Sequence, residues 1–534
     1  MLERVDGIFI ITPVAEDDRK KHPSFGETKS HSFDEAIDIV GFGRTGWQVF
    51  LVSALVMLAV INETMGISII IPAARCDLNL SATDKGMLTG VSFAGIILTS
   101  HFWGYLADTK GRKNVIIVSL MLTSVCSLMS SMAATFGTMV VLRLFAGMCI
   151  SAPSATIYAY LGEFVRTDKR TLMISFASVS VGLSSVFVGS IGWAVLSQNW
   201  SVLIPGLMID FRPWRLLLVL FSLPGAIGAV WMYFLPESPK FYLAQGLDDK
   251  ALAVLRQMYV ETHPGRGLQD CPVKRITPEV GEAGTTVHAT GKGLCAVLRD
   301  MWDQTVPLFS RPHLLYFSVC CALQFGMFFV SAGMGLWYPE IVNQMTTRNQ
   351  NGSETICEAL KGVDSPDEDF VSYENNFLLE KDALELCDDH VSQDAFVCLV
   401  VLGSVYSLLY LIMTAFLKCM NRGYILVSHL IISGVSGVLL VFVNQTQAVL
   451  VLICFLIIFA GSSISLVNGA AVSLFPTNIR ATAVCLSLMM GRLGSVAGTN
   501  FIGLILEDHC HLTFALFAGC SLLGAILALI LPSR

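Results

Sequence analysis

The sequence predicts an all-α integral membrane protein with twelve transmembrane helices in two six-helix pseudo-repeats. Only 14% of the 534 residues are charged and 54% are hydrophobic, whereas soluble proteins carry about 25% charged residues. Apolar stretches of roughly 20 residues, the length that spans a bilayer, recur along the chain. Each must be a helix, because lipid leaves no partner for unpaired backbone groups. We predict spans at 47–71, 86–106, 114–133, 138–161, 172–196, 214–235, 313–337, 396–417, 424–443, 448–472, 482–506 and 512–532.

Positive charge in the short loops predicts the orientation of these spans. An even number of spans places both termini on one side, and Lys and Arg favour the cytoplasmic loops. We therefore expect both termini to be cytoplasmic. The loops after spans 2, 4, 8 and 10 carry Lys110, Arg112, Lys113, Arg166, Lys169, Arg170, Lys418, Arg422 and Arg480.

Two longer insertions divide the chain into segments. We expect the N-terminal tail to be mobile, and no secretory signal peptide is visible. The predicted segments are a cytoplasmic tail at 1–45, a first half at 46–236, a cytoplasmic linker at 237–312, and a second half at 313–534 with an outer acidic loop at 338–395.

The outer loop is predicted to be modified. Between residues 340 and 394 it holds fourteen Asp or Glu and three Lys or Arg. Asn351 begins an Asn-Gly-Ser sequon with enough surrounding loop for glycosylation. Cys76, Cys357, Cys387 and Cys510 fall on the outward side, where three pairings are possible. We favour Cys357–Cys387.

A short internal repeat supports two related halves. "EFVRTDKR" at 163–170 follows span 4, and "SLFPTNIR" at 473–480 follows span 10. Both close an apolar span and end in Arg. Such duplication is typical of transporters whose substrate site lies between the halves.

Several motifs resemble those of the major facilitator superfamily. "GYLADTKGRK" at 104–113 resembles its loop 2–3 signature, and "RLFAGM" at 143–148 resembles its span 4 element. Glu163 with Arg170, and "PESPKFYL" at 236–243, resemble the signatures of its sugar porters. The resemblance covers about 45–534 and implies the major facilitator fold.

Within that superfamily, "AIDIVGFGRTGWQVFLV" and "PAARCDLNL" are most similar to the synaptic vesicle glycoprotein 2-like group, near the organic ion transporters. The second-half copy of the opening motif, "KCMNRGYI" at 418–425, lacks the Asp, and Ser473 replaces an expected Glu. We therefore expect fewer contacts between charged side chains on the cytoplasmic side of the second half.

The resemblance implies that the loop 2–3 charges latch the two halves together on the cytoplasmic face. Gly104 lacks a Cβ and permits close approach of another helix. Asp108 can accept hydrogen bonds from Arg112 and from the start of a neighbouring helix. The alternative is that the charges only set topology, but an Asp adds nothing to such a signal. The expected gating residues are Gly104, Asp108, Gly111, Arg112, Glu163, Arg170 and Arg480.

Glu63 and Arg143 are costly charges inside predicted spans. At 1.5 Å per residue, Glu63 lies about 24 Å from the inner end of span 1 and Arg143 about 8 Å from the outer end of span 4. Both fall in the outer half of the bilayer and could pair. Three roles remain open: proton exchange at Glu63 with Arg143 as a switchable partner, a permanent structural ion pair, or recognition of a cationic substrate by Glu63.

Arg492 lies near the middle of span 11, where it could bind a substrate carboxylate or phosphate. The alternative is a partner within the bundle, such as Asn468 or Asn500. Further polar groups could line a substrate cavity, although such residues are more often satisfied packing polars. These are Asn62, Gln324, Tyr406, Tyr410 and Asn468.

These observations favour a secondary active transporter of a small organic solute, an organic ion or a sugar-like molecule, working by alternating access with proton coupling as an option. The alternative is a transport-inactive vesicle or partner-binding protein.

No P-loop, nucleophile elbow or metal-ligand spacing is visible, so neither an enzyme nor a bound cofactor or metal is expected. The expected partners are the bilayer and a small molecule, not nucleic acid. Plasma and vesicle membranes fit equally, and the oligomeric state stays open.

Overall fold

The computed structural model describes most of the chain. It covers residues 30–276, 305–348 and 391–531, apart from 199, 207, 208, 312, 418, 444, 476, 507 and 508, together with 4, 5, 8, 9, 299, 302 and 357.

The predicted all-α membrane architecture is confirmed. Among the described residues, twelve helical spans are long and apolar enough to cross a membrane. Most edges agree with the sequence prediction to within a few residues. Two spans are longer than predicted: the first covers Arg44–Leu78 and the seventh covers Leu314–Met345. Both extensions lie at the same end of the bundle.

The first half contains eight of the helices, and side-chain caps define several of their starts. Ser81 and Thr135 each accept a hydrogen bond from the backbone N–H three residues later, which satisfies a free donor of the first turn. Two strand pairs lie outside the bundle. The helices are α1 (Phe33–Val40), α2 (Arg44–Met65), α3 (Ile67–Leu78), α4 (Ala82–Lys110), α5 (Arg112–Ser131), α6 (Phe136–Gly162), α7 (Thr167–Leu196) and α8 (Pro213–Tyr233), and the strands are β1 (Arg4–Val5), β2 (Ile8–Phe9), β4 (Val202–Ile204) and β5 (Ile209–Phe211).

The connecting segment and the second half hold the remaining elements. They are α9 (Pro239–Ala244), α10 (Asp248–Thr262), 3-10 turns at Leu268–Asp270 and Val306–Phe309, α11 (Leu314–Arg348), α12 (Gln393–Phe416), α13 (Arg422–Leu439), α14 (Thr446–Leu474), α15 (Thr477–Ile505) and α16 (Cys510–Ala528).

The two halves meet along two helix pairs. Helix α4 packs along α15, and α7 packs along α12. Small residues allow these close crossings: a Cβ added to Gly182 of α7 would lie 2.5 Å from the Gly403 carbonyl oxygen of α12. We call the end of the bundle formed by 108–113, 163–170 and 237–262 the charged-loop face. The end formed by 78–85, 340–348 and 505–510 is the opposite face.

Residues 30–44 are folded, so the prediction of a mobile tail over 1–45 is wrong for this part. Helix α1 packs on α10. Strand β3 (Ser30–His31) pairs in parallel with β6 (Arg275–Ile276) of the connecting segment. The Thr45 backbone N–H and hydroxyl both donate to the Glu261 carboxylate, at 2.7 and 3.0 Å. The sequence prediction missed the apolar face of α1 because charged residues lie between its apolar ones. Phe33, Ile37 and Val40 of this face are buried.

The predicted outer loop 338–395 is also shorter than expected. Helix α11 continues to Arg348, and α12 begins at Gln393. The continuation follows a helical period of buried apolar side chains at Tyr338, Ile341, Val342 and Met345. Glu340 interrupts the apolar run in sequence, and for this reason the hydropathy pattern ended the span too early.

Candidate functional site

Glu63 and Arg143 form a buried ion pair within the first half. Arg143 Nη1 lies 3.2 Å from Glu63 Oε2, and the side chains are 2% and 6% exposed, respectively. The Ser127 hydroxyl contacts both carboxylate oxygens at 2.9 and 2.8 Å and accepts a bond from Arg143 Nη2 at 2.7 Å. Arg143 also donates to the Ser130 hydroxyl from Nε, at 3.3 Å, and from Nη2, at 3.2 Å. Helices α2, α5 and α6 thus share one charge-balanced cluster.

This cluster is sensitive to the loss of either charge. Removing one member of a buried ion pair leaves the other uncompensated in a low-dielectric site and costs about 3–5 kcal/mol. The serine hydroxyls complete the hydrogen bonding of both partners. The structure therefore joins the two intramembrane charges that the sequence placed at similar depth, and neutralising Glu63 would leave Arg143 buried without its charge partner.

Arg492 lies at the seam between the halves. Its guanidinium carbon is 5.7 Å from the ring centroid of Phe93 on α4 and 5.1 Å from that of Phe328 on α11. The two rings come from different halves and flank the charge by cation–π contact. Among the ion pairs of the described residues, none includes Arg492.

The two amides expected to partner Arg492 bond elsewhere. Asn468 Oδ1 accepts a bond from Gln324 Nε2 at 2.7 Å, and Asn500 Nδ2 donates to the Val496 carbonyl at 2.8 Å. Both amides are thus engaged within the second half. Among the described contacts, neither amide oxygen accepts a hydrogen bond from Arg492.

Two other buried amides keep one atom unpaired among the described residues. Asn62 accepts a 2.6 Å bond from the Ser184 hydroxyl at its oxygen, but its Nδ2 has no partner. Gln324 donates from its nitrogen, but its Oε1 has no partner. Such groups are costly to bury unsatisfied, and they are the kind of atoms a polar ligand can engage.

Tyr406 and Tyr410 form an aromatic pair on α12. Their ring centroids are 5.1 Å apart in an edge-to-face arrangement. The Tyr406 side chain also lies close to Gly461 of α14. This packing holds both phenol rings in fixed positions within the second half.

At the charged-loop face, three of the predicted latch residues form contacts with the first half or with α1. Arg112 Nε lies 3.0 Å from Glu163 Oε1. Arg170 donates to the Gly162 carbonyl at 2.8 Å and pairs with Asp34 of α1 at 3.3 Å. The side chains of Asp108 and Arg480 lie outside the described residues.

Gly111 is required at the α4–α5 junction. Its φ is +100°, a conformation that favours glycine, and an added Cβ would overlap the Glu237 carboxylate. Glu237 accepts from the Lys113 backbone N–H at 3.1 and 3.2 Å. Burial, and then the Glu237 charge, raise the pKa of the Tyr242 phenol above its ordinary value. The sequence contained Glu237 in the "PESPKFYL" motif, but gave it no role.

The close helix approach expected at Gly104 is not seen among the described residues, and it stays a prediction. A Cβ added there would meet no described atom within 4 Å. Gly86 lies on the same face of α4, because eighteen residues make about five helical turns. A Cβ added to Gly86 would lie 3.2 Å from the Thr499 carbonyl oxygen and 3.3 Å from the Asn500 Cα of α15. Along this face, α4 therefore touches the second half near the opposite face, and no described atom lies within 4 Å of a Cβ added at Gly104.

An ion pair between the two halves lies at the opposite face, and sequence reasoning missed it. Lys85 Nζ of α4 is 2.5 Å from Glu340 Oε1 of α11. The sequence placed both residues in loops. The available signal was the helical spacing of apolar residues that continues past Glu340.

The favoured Cys357–Cys387 pairing is wrong. Cys357 is bonded to Cys510, with Cα atoms 5.5 Å apart, because the fold brings residue 357 to the first turn of α16. Sequence proximity favoured the local pair and could not anticipate this contact. Cys76 is also disulfide-bonded. Cys387 and the sequon residue Asn351 lie outside the described residues.

No group of three or more His, Cys, Asp or Glu side chains is placed to hold a metal ion in the described part of the chain. The candidate functional groups are Arg492 with its flanking rings, the unpaired amide atoms of Asn62 and Gln324, and the Glu63–Arg143 cluster.

Known proteins resemble this chain in both sequence and fold. A sequence profile of the Major Facilitator Superfamily matches residues 49–347, more than half of the chain. Synaptic vesicle glycoprotein 2A of Rattus norvegicus is 26% identical over 333 residues, covering 60% of this chain and 44% of the relative. Synaptic vesicle glycoprotein 2B of the same species is 25% identical over 327 residues, covering 59% and 48%. The chain thus spans less than half the length of these relatives.

Two solved structures of the xylose transporter XylE from E. coli share the fold. The inward-open conformation has a TM-score of 0.63 at 13% identity and covers 92% of this chain and 97% of that one. The partially occluded inward-open conformation has a TM-score of 0.61 at 13% identity, with coverage of 92% and 100%. Together with the twelve spans and the profile match, this fold shows that the chain belongs to the Major Facilitator Superfamily.

Proposed function

We propose that this protein is a secondary active transporter that moves a small organic solute by alternating access. The observation that carries the proposal is the seam along α4, which is packed against the second half at Gly86 and meets no described atom at Gly104. Two halves that touch at one end and part at the other give a solute access from one side only. A rocking motion of the halves around a central site would reverse this access.

We further propose that the solute is an organic anion held by Arg492. A charge at the seam is expensive unless a partner or a cavity compensates it, and Arg492 has aromatic faces beside it instead of an acid. Glu63 is a poorer candidate for binding a cation, since Arg143 and Ser127 already occupy its carboxylate. Asn62 and Gln324 would add polar contacts to the solute.

Proton exchange at Glu63 is the proposed coupling. Protonation would remove the negative charge that holds Arg143, so the cluster on α2, α5 and α6 could change its contacts during the cycle. The D-xylose-proton symporter with the same fold, matched at a TM-score of 0.62 and 12% identity, makes proton coupling a reasonable expectation for this fold.

The proposed orientation places the charged-loop face and both termini in the cytoplasm. It rests on the Lys and Arg of the short loops. The protein is multi-pass, and either the plasma membrane or a vesicle membrane would suit it. The resemblance to synaptic vesicle glycoproteins favours the vesicle.

Uptake by proteoliposomes tests these proposals. The panel should contain organic anions, organic cations and sugars, each with and without a pH gradient. We expect saturable uptake of an anion and a loss of about tenfold or more in Arg492→Gln, the loss expected when a hydrogen bond to a charged group disappears. Arg75→Gln, at an exposed arginine of α3, is the matched control and should transport normally.

A transport-inactive, partner-binding protein is the second candidate. The degenerate "KCMNRGYI" motif favours it, since a weakened gating element suits a protein that no longer cycles. Solute-dependent thermal stabilisation of the purified protein separates the two. A shift with an anion supports transport, whereas no shift across the whole panel supports the second candidate.

A further inference from the structure

The buried Lys85–Glu340 pair crosses the boundary between the two halves. Lys85 belongs to α4 of the first half and Glu340 to α11 of the second, and their side chains are 7% and 8% exposed. The described ion pair Arg212–Asp77, near the same end, lies within the first half and is more exposed. The Lys85–Glu340 pair is therefore more deeply buried than the Arg212–Asp77 pair, and it connects the two halves of the protein.

The surroundings of the pair are closed by direct packing between the halves. A Cβ added to Gly503 of α15 would lie 2.9 Å from the Ala82 carbonyl oxygen of α4. Trp337, one turn before Glu340, donates from its indole nitrogen to the Thr499 carbonyl at 3.0 Å. Gln344, one turn after Glu340, donates to Glu340 Oε1 at 3.0 Å. The ion pair is thus largely buried between α4, α11 and α15.

We propose that Lys85 and Glu340 form a latch that holds the opposite face shut in this conformation and must break when that face opens. The inference rests on the alternating-access function proposed above. In the closed state the two charges compensate each other, and loss of either leaves the remaining one buried without its partner. In the open state both charges regain water. Any change that removes one charge should therefore favour the open state.

The location of the latch complements the absence of described contacts at Gly104. The α4 helix is held to the second half at Lys85 and Gly86, and it is free of described contacts at Gly104 on the same face. If the halves rock as rigid bodies, opening at Lys85 brings the Gly104 end of α4 closer to the second half. Loss of the latch must then have opposite effects at the two ends of this helix.

Amide hydrogen exchange of the full chain in nanodiscs tests the latch. We expect Lys85→Met and Glu340→Gln each to raise exchange in peptides covering 82–90 and 499–505 by about fivefold or more, because a ligand-free two-state equilibrium shifts towards the open state. Exchange in the peptide covering 104–110 should fall at the same time. The charge-swapped double variant Lys85→Glu/Glu340→Lys should return the amide exchange rates of both regions towards those of the unmodified protein.

Arg212→Met is the matched control, because it removes an ion pair of the same face without crossing the seam, and it should leave all three peptides unchanged. A rise confined to 82–90 and 499–505, or no change in either single variant, would show that the pair only supports local structure and would overturn the latch. The conservative Lys85→Arg variant keeps the charge and provides a folded reference if a single variant unfolds. Uptake is measured separately, so an inactive transporter with a working latch remains distinguishable from a failed latch.

Discussion

Gly86 and Gly104 lie on one face of α4, and a Cβ added to Gly86 would meet the second half, whereas a Cβ added to Gly104 would meet no described atom within 4 Å. This difference leads to a direct test of the proposed rocking motion. Gly104→Leu places a side chain where the described structure is open, so we expect no loss of stability. Leu is also a better helix former than Gly by roughly 0.8 kcal/mol.

Uptake by Gly104→Leu should nevertheless fall by about tenfold or more, because the side chain would obstruct closure at the charged-loop face, and overpacking a closed contact costs about 1–3 kcal/mol. Thermal unfolding and proteoliposome uptake are the two measurements. Gly86→Leu is the contrasting variant and should lose stability in this conformation. Normal uptake in Gly104→Leu would contradict closure along this face.

The Glu63–Arg143 pair predicts a separation of coupling from solute binding. Glu63→Gln leaves Arg143 without its charge partner in a buried site, so we expect a lower unfolding temperature and loss of stimulation by a pH gradient. Binding of the anion, measured as thermal stabilisation of the purified protein, should persist. Arg492 is on a different helix and makes separate contacts.

Ser130→Ala is the control for this prediction. It removes hydrogen bonds to the charged Arg143 side chain while keeping both charges, at a cost of about 1.5–3 kcal/mol. Its pH dependence should match that of the unmodified protein. If Glu63→Gln responds to the pH gradient as strongly as the unmodified protein, Glu63 is not the coupling group and the pair is structural.

Asp108 remains the most informative residue of the loop 2–3 motif. Asp108→Asn keeps the side-chain size and the neighbouring Lys and Arg, so membrane insertion should be intact. We expect a shift in the balance between the two access states and a changed transport rate, since the carboxylate would no longer accept charge-assisted hydrogen bonds. Glycosylation or protease mapping reports insertion, and uptake reports transport. Unchanged transport rates would favour a role in topology alone.

Local sequence patterns were sufficient to predict the spans and the Glu63–Arg143 pair. A helix in lipid needs a long apolar stretch, and this requirement makes each span visible on its own. Charges inside such stretches are equally conspicuous, and the fixed rise of a helix placed Glu63 and Arg143 at compatible depths. These features depend on neighbouring residues and on the membrane, not on tertiary contacts.

Contacts between distant segments were not predictable in the same way. Lys85 and Glu340 are 255 residues apart, and each charge marked the edge of a hydropathy stretch, so both were placed in loops. Helix α1 has only eight residues, and its charged positions Asp34 and Asp38 resemble a solvated tail until Arg170 and Arg166 are seen beside them. Partner choice at these sites is decided by the fold.

The Cys357–Cys510 disulfide gives a prediction that depends on the fold alone. Peptide mapping of the unreduced protein should recover residues 357 and 510 in one cross-linked fragment. Cys510→Ser should lower the stability by about 2–5 kcal/mol, the usual effect of removing a native disulfide from a small secreted domain, with the smaller end expected here because the helix bundle has its own packed core. Cys419→Ser, at an exposed free cysteine, is the matched control and should leave the unfolding temperature unchanged. Recovery of 357 linked to 387 would restore the pairing favoured by sequence proximity, and it would mean that the start of α16 does not hold residue 357.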